Sequence, residues 1–214
     1  MIYYIKEANQ LKNFQNKKYQ LGILKRKEPS NAISFFRKFP QNSFFVNDFI
    51  KENMAKDNIR KLLRFKFSKK IQNNSFYEDW LEDMSEICVI FCSFIKKKEI
   101  SFWLGSSRGC TRYHADTVPY RLLVTYTGQG TEILPDKAAN RHAFDLGLTN
   151  KQILQDKSAL TFLDKWDIAI FKGGKNGILH RTPDSALKRK SSILMRLDHP
   201  SFLKELNKIN YTND

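Results

Sequence analysis

Disulfide chemistry is nearly excluded by this sequence: only three cysteines, Cys88, Cys92 and Cys110, occur in 214 residues. An odd and sparse set does not make the disulfide framework of a small secreted fold. The thiols are expected to be reduced, in a cytoplasmic setting. No stretch approaches the run of about 18 uncharged apolar residues that a membrane-spanning helix needs. The N-terminus meets Lys6 and Glu7 before a signal-peptide core develops. Neither secretion nor membrane insertion is expected. Negative charge is also short, with 22 acidic residues against 37 Lys and Arg, a net +15. Such an excess admits nucleic acid or another acidic partner. However, the chain carries no nucleic-acid reader motif. The lysines also accompany abundant Asn, Ile and Phe, the bias of an AT-rich coding sequence.

What is present suits a folded core. Apolar residues make up 41% of the chain and aromatics 13%, with 17 Phe, which excludes general disorder. The length fits one compact domain with a helical extension better than two domains. Residues 1–99 read as a mostly helical region packed on the core. "YQLGILKRK" suits a strand, while "NAISFFRKF" and "NDFIKENMAKDNIRKLLRFKF" suit helices. In "SFYEDWLEDMSEICVIFCSFIKKK", Ser75 can cap a helix whose stripe of Trp80, Met84, Ile87, Phe91 and Ile95 has to pack on a sheet. Cys88 and Cys92 on that helix read as small buried apolar residues.

From 100 to 198 the texture becomes short strand-like runs with Gly punctuation, interrupted by "FDLGLTNKQILQDKSALTFLDKW" with one short helix. An α+β protein is expected, with a sandwich or barrel after an N-terminal helical region. Residues 199–214 form a tail with a short helix.

His114 and Asp116 make H-x-D in a strand-like setting, and residues i and i+2 of a strand share a face. Joined by a distant His, such a pair makes a two-His-one-carboxylate site that leaves coordination positions open for oxygen chemistry. The later histidines are His142, in the polar "NRHAF" connection, His180 in "ILHRTP", and His199 before Pro200. His142 and His199 read as loop residues. Tyr113 and Tyr126 read as core aromatics or as donors to a bound carboxylate. Cys110 is a further sulfur ligand, a redox-sensitive thiol or a small residue at a turn. "KGGKNG" lacks phosphate-loop spacing and reads as a turn between barrel strands.

The order over residues 105–198 is H-x-D, a strand and hairpin, a Gly-rich turn, a second His, then basic residues opening the last strand. It resembles the double-stranded β-helix (jelly-roll or cupin-like) of iron(II)- and 2-oxoglutarate-dependent dioxygenases, most closely the prolyl-hydroxylase branch. That resemblance implies His114, Asp116 and His180 as iron ligands, 2-oxoglutarate as cosubstrate, and a small-molecule or protein substrate. It also implies a basic residue and a hydroxyl that clamp the cosubstrate's far carboxylate. The candidates are Arg189, Lys190, Ser191 and Ser192, with Arg121 as a rival. Ile193, Met195 and Leu197 read as the inward face of the last strand. Alternation then turns Arg189 and Ser191 inward, and Lys190, Ser192 and Arg196 outward.

A denser match is to bacterial domain-of-unknown-function family 1826. It runs through Cys110, Arg112, Tyr113, His114, Asp116, Val118, Arg121 to Leu123, Thr125, Tyr126, Gly128 and Gly130 to Glu132. It resumes at Asp167, Ala169, Lys172, Gly173 and His180 to Pro183. The resemblance implies a metal and a link to metal homeostasis. Zinc, manganese or nickel in the same three ligands, without 2-oxoglutarate turnover, is the alternative reading.

Overall fold

The short apolar runs of the second half pair with three strands of the first half to build a seven-stranded sheet. A three-stranded sheet lies across it. The computed structural model describes residues 1–15, 18–39, 43–188 and 192–211. The strands are β1 (Ile2–Ile5), β2 (Leu21–Leu24), β3 (Phe45–Lys51), β4 (Glu99–Gly105) and β5 (Tyr120–Thr127). They continue as β6 (Glu132–Leu134), β7 (Thr161–Phe162), β8 (Ile168–Lys172), β9 (Leu179–Arg181) and β10 (Ile193–Asp198). The large sheet runs β1-β2-β8-β5-β10-β4-β3 and the small one β7-β6-β9. Among the described residues only the β1–β2 pair is parallel. The fold is α+β.

Residues 1–99 contribute β1, β2 and β3, and so supply both edges of the large sheet. The segment "NDFIKENM" lies partly in β3 rather than in a helix. Val46 and Ile50 are buried while Phe45, Asn47 and Lys51 are exposed, and the strand pairs with β4 along all seven residues. Four-residue spacing fits a helix or a strand, and here the open edge of β4 decides it. No helix among the described residues is long and apolar enough to cross a membrane.

The long helix Ser75–Ile95 forms as its stripe predicts. Its cap is Asn74 rather than Ser75, with the Asn74 side chain accepting from the Phe76 N–H at 3.1 Å. It stops where Lys96 turns left-handed and the Lys97 N–H reaches back to the Cys92 carbonyl. Trp80, Met84, Ile87, Cys88 and Phe91 are buried against Leu122, Val124 and Tyr126 of β5 and Met195 and Leu197 of β10. Each such side chain contributes about 1.5–3 kcal/mol of burial. Burial pushes the Cys88 thiol well up and the Cys92 thiol up to about 12, as suits inert apolar fillers.

The opposite face of the large sheet carries Leu21, Ile23, Leu123, Ala169 and Phe171, packed on Ile133, Leu163 and Ile178 from the region of the small sheet. Helices, large sheet and small sheet therefore form three layers, and the strands between them are buried on both faces.

Candidate metal centre

His114 stands outside the named strands but pairs with His180 of β9 as an antiparallel bridge. The His114 N–H donates to the His180 carbonyl at 3.1 Å, and the His180 N–H returns to His114 at 3.0 Å. Such a reciprocal pair sets the two residues opposite each other, and the ring centroids lie 4.4 Å apart. A polar buckle beside them holds the pairing. Tyr113 donates to Glu132, and Arg181 donates to both Glu132 oxygens at 2.8 and 3.0 Å. Arg181 also lies over the Tyr113 ring. The Tyr113 N–H is taken by Asn150 Oδ1. Tyr113, the neighbour of the metal-type histidine, is thus a core aromatic with a hydrogen-bonded hydroxyl.

Asp116 enters from the loop after His114. Its backbone is held by the Gly-rich turn read from "KGGKNG": the Gly174 N–H donates to the Asp116 carbonyl at 2.7 Å. A Cβ at Gly173 would stand 2.6 Å from that carbonyl and 2.0 Å from the Val118 carbonyl, so only glycine permits this approach. The Asp116 carboxylate is buried. Arg121 donates to its Oδ1 and, through Nε, to Asp198 Oδ1 at 2.7 Å. Oδ2 is buried with no hydrogen-bond partner and lies 3.6 Å from His180 Nε2.

The ligand atoms of His114, Asp116 and His180 all lie within 4.8 Å of one another. Each imidazole has its Nδ1 against a carbonyl, His114 on Arg112 at 3.0 Å and His180 on Ile178 at 3.1 Å. A carbonyl only accepts, so each Nδ1 carries a proton, and in the neutral ring the lone pair lies on Nε2. This orientation by a neighbouring acceptor is the usual support of a metal-binding histidine. Burial lowers the His180 pKa to about 4, outweighing the nearby Asp116, so the ring is neutral at pH 7. Two Nε2 atoms and an unpartnered carboxylate oxygen are a donor set that fits a divalent ion.

His114 and His180 line a cavity of about 100 Å³ between the two sheets. Its lining includes Leu123 of β5, Leu194 and Arg196 of β10, Trp103, Arg108 and Cys110. This reverses the expected parity of the last strand. Ile193, Met195 and Leu197 face the helical layer, whereas Leu194 and Arg196 face the cavity. Arg196 is expected outward on a strand with one buried face, but both faces of the large sheet are covered and it lines the cavity. Ser192, also expected outward, is buried and accepts from Arg108. Arg196 lies over the Trp103 ring, and its Nε is 3.0 Å from Asp198 Oδ2 at an angle too poor for a hydrogen bond. Burial lowers the Arg196 pKa, partly offset by Asp198.

Of the other expected residues, Arg121 reaches the site but is engaged by Asp116 and Asp198. Tyr126 does not reach it. Five residues beyond Arg121, it points to the other face of β5, where its hydroxyl donates to Asp83 at 2.8 Å among Trp80 and Trp166. Arg189, Lys190 and Ser191 lie outside the described residues. His142 is exposed in the helix Arg141–Asp145, and His199 contacts Ser201. Arg108, Trp103 and Asp198 join the site beyond the residues expected from the sequence. Asp198 and Arg196 share a signal, charge at alternate positions of an otherwise apolar strand; Arg108, in "GSSRGC", has none.

No curated protein matches the chain. Among solved structures, it is similar to the crystal structure of a bsmA homolog from Methylobium petroleophilum PM1. The identity is 7% and the TM-score 0.44, over 90% of this chain and 92% of that one. A family described as "Protein of unknown function (DUF1826)" matches residues 6–198, and the chain belongs to it.

Proposed function

We propose that the chain is a non-haem iron(II)- and 2-oxoglutarate-dependent oxygenase, with the three-layer core serving as a double-stranded β-helix. The observation that carries this reading is the buried, unpartnered Asp116 Oδ2 facing two histidines whose Nδ1 atoms are already committed. A buried carboxylate oxygen without a partner is costly, and a bound cation would remove that cost.

His114, Asp116 and His180 would hold the ion on one side and leave its other side toward the cavity. Iron bound there with a chelating 2-oxo acid would supply oxidative chemistry driven by loss of carbon dioxide from the acid. The protein's own residues do the positioning. Arg121 fixes Asp116 through Oδ1 and so reserves Oδ2 for the ion. Leu123 and Leu194 make part of the lining apolar and limit water. Arg196, paired with Asp198, adds positive charge to the cavity wall.

The test is release of succinate from 2-oxoglutarate by tag-free protein loaded anaerobically with iron(II) and then exposed to oxygen. Iron-dependent succinate formation, abolished in His114→Ala and His180→Ala, is the expected result. Tight zinc, manganese or nickel occupancy with no turnover under iron would replace the oxygenase by a metal-binding protein of the same site.

A further inference from the structure

Each arginine around the cavity has a carboxylate partner except one. Arg121 is paired with Asp116 and Asp198, Arg181 with Glu132 and Asp184, and Arg196 with Asp198. Arg108 also lines the cavity, yet among the described residues no carboxylate stands within ion-pair distance of it. Its partners are neutral: Nη1 donates to the Gln129 carbonyl at 3.0 Å and to Ser192 Oγ at 2.9 Å, and Nη2 to Thr131 Oγ1 at 3.1 Å.

These bonds use three of the five N–H groups of a guanidinium. The two left over belong to Nε, which is buried with no partner, and to Nη2. Adjacent N–H groups of this kind form the fork that a carboxylate bridges with two parallel bonds. Burial without a counter-ion lowers the Arg108 pKa to about 10, the mark of a cation held at a cost.

The loop that carries Arg108 is anchored. The Thr182 N–H donates to the Cys110 carbonyl at 3.0 Å, two residues after His180. Leu194 and Arg196 of the last strand line the same cavity as Arg108.

We propose that Arg108, with Ser192 and Thr131 holding it, is the anchor of a carboxylate on a small acid that occupies the cavity. The acid has two possible sources, the far carboxylate of the cosubstrate or a carboxylate of the substrate itself. Only this choice of source rests on the oxygenase reading; the anion site does not require a metal. A cavity of about 100 Å³ suits a small acid rather than a polymer.

The experiment is calorimetric titration of the full-length protein, metal-stripped and zinc-loaded, with succinate, 2-oxoglutarate and 2-oxobutanoate. Metal content is measured on the same samples. Succinate is expected to bind the stripped wild type, and Arg108→Gln to weaken it at least about tenfold, the scale of one charge-assisted contact. Zinc content should be unchanged in the variant. Arg108→Lys, which keeps the charge but not the fork, should fall between the two.

Two outcomes identify the source. If zinc-loaded wild type prefers 2-oxoglutarate over 2-oxobutanoate and Arg108→Gln erases the preference, the carboxylate is the cosubstrate's. If the preference survives in Arg108→Gln while succinate binding is lost, it is the substrate's. Succinate binding through Arg108 in protein that takes up no metal would keep this inference and end the oxygenase reading. Equal affinity of wild type and Arg108→Gln for all three acids, or no succinate binding by wild type, would overturn it.

Discussion

Asp116→Asn is the most informative single change, because it alters charge at the site with almost no change of shape. Oδ1 still accepts from Arg121, so the loop and the Gly173 contact keep their geometry. What disappears is the anionic oxygen that faces His180 Nε2 at 3.6 Å. Loss of an outer partner of a metal ligand typically costs 10–100-fold in affinity, and loss of the ligand's charge costs at least the upper end of that range. At a free-ion concentration of about 100 times the wild-type dissociation constant, binding stabilises the fold by about 2.7 kcal/mol. After a hundredfold loss the same concentration gives only about 0.4 kcal/mol. For a chain of this length about 1 kcal/mol corresponds to roughly 2–4 °C in Tm. The wild type should therefore gain about 5–11 °C on adding iron(II) or zinc, and Asp116→Asn about 1–2 °C. The assay is thermal melting followed by circular dichroism, anaerobic when iron is used, with His199→Ala as the control that keeps the full gain. An equal gain in Asp116→Asn and wild type would refute the assignment of Oδ2 as a ligand atom.

Removing Arg121 strands two buried carboxylates, so Arg121→Leu should cost about 3–5 kcal/mol in denaturant unfolding; a loss under 1 kcal/mol would contradict the network. The folded His180 pKa of about 4 lies below the ordinary 6.5, so the unfolded chain binds the extra proton between those values. Stability of the metal-free protein should accordingly fall as pH drops from about 6.5 to 4, by up to about 3 kcal/mol from this residue. His180→Gln should flatten that part of the profile, and an unchanged slope in the variant would exclude His180 as its source. Gly173→Ala drives a methyl into the Asp116 and Val118 carbonyls, so it should lower both Tm and metal uptake; a variant that melts and loads as wild type does would show that the turn can yield.

The sequence made the site legible where chemistry needs unusual residues in a fixed order. His114, Asp116 and His180 come together because a bridge and a glycine turn that leave polar traces in the sequence hold them. The helix Ser75–Ile95 was legible because one apolar stripe over 21 residues has a single solution. β3 was not, since Val46 and Ile50 suit either period and pairing with β4 decides. The parity of β10 misled because the large sheet is buried on both faces, so apolar alternation marks the helical layer as readily as the cavity. Arg108 sits in an irregular loop, and nothing in its spacing announces that it lacks a carboxylate partner.

Anomalous diffraction from crystals soaked anaerobically with iron(II), collected at the iron edge, tests the metal centre most directly. One strong peak is expected, bonded to His114 Nε2, Asp116 Oδ2 and His180 Nε2, with its remaining positions toward the cavity. A peak held by other residues, or full exposure to iron with no peak at this triad, would contradict it.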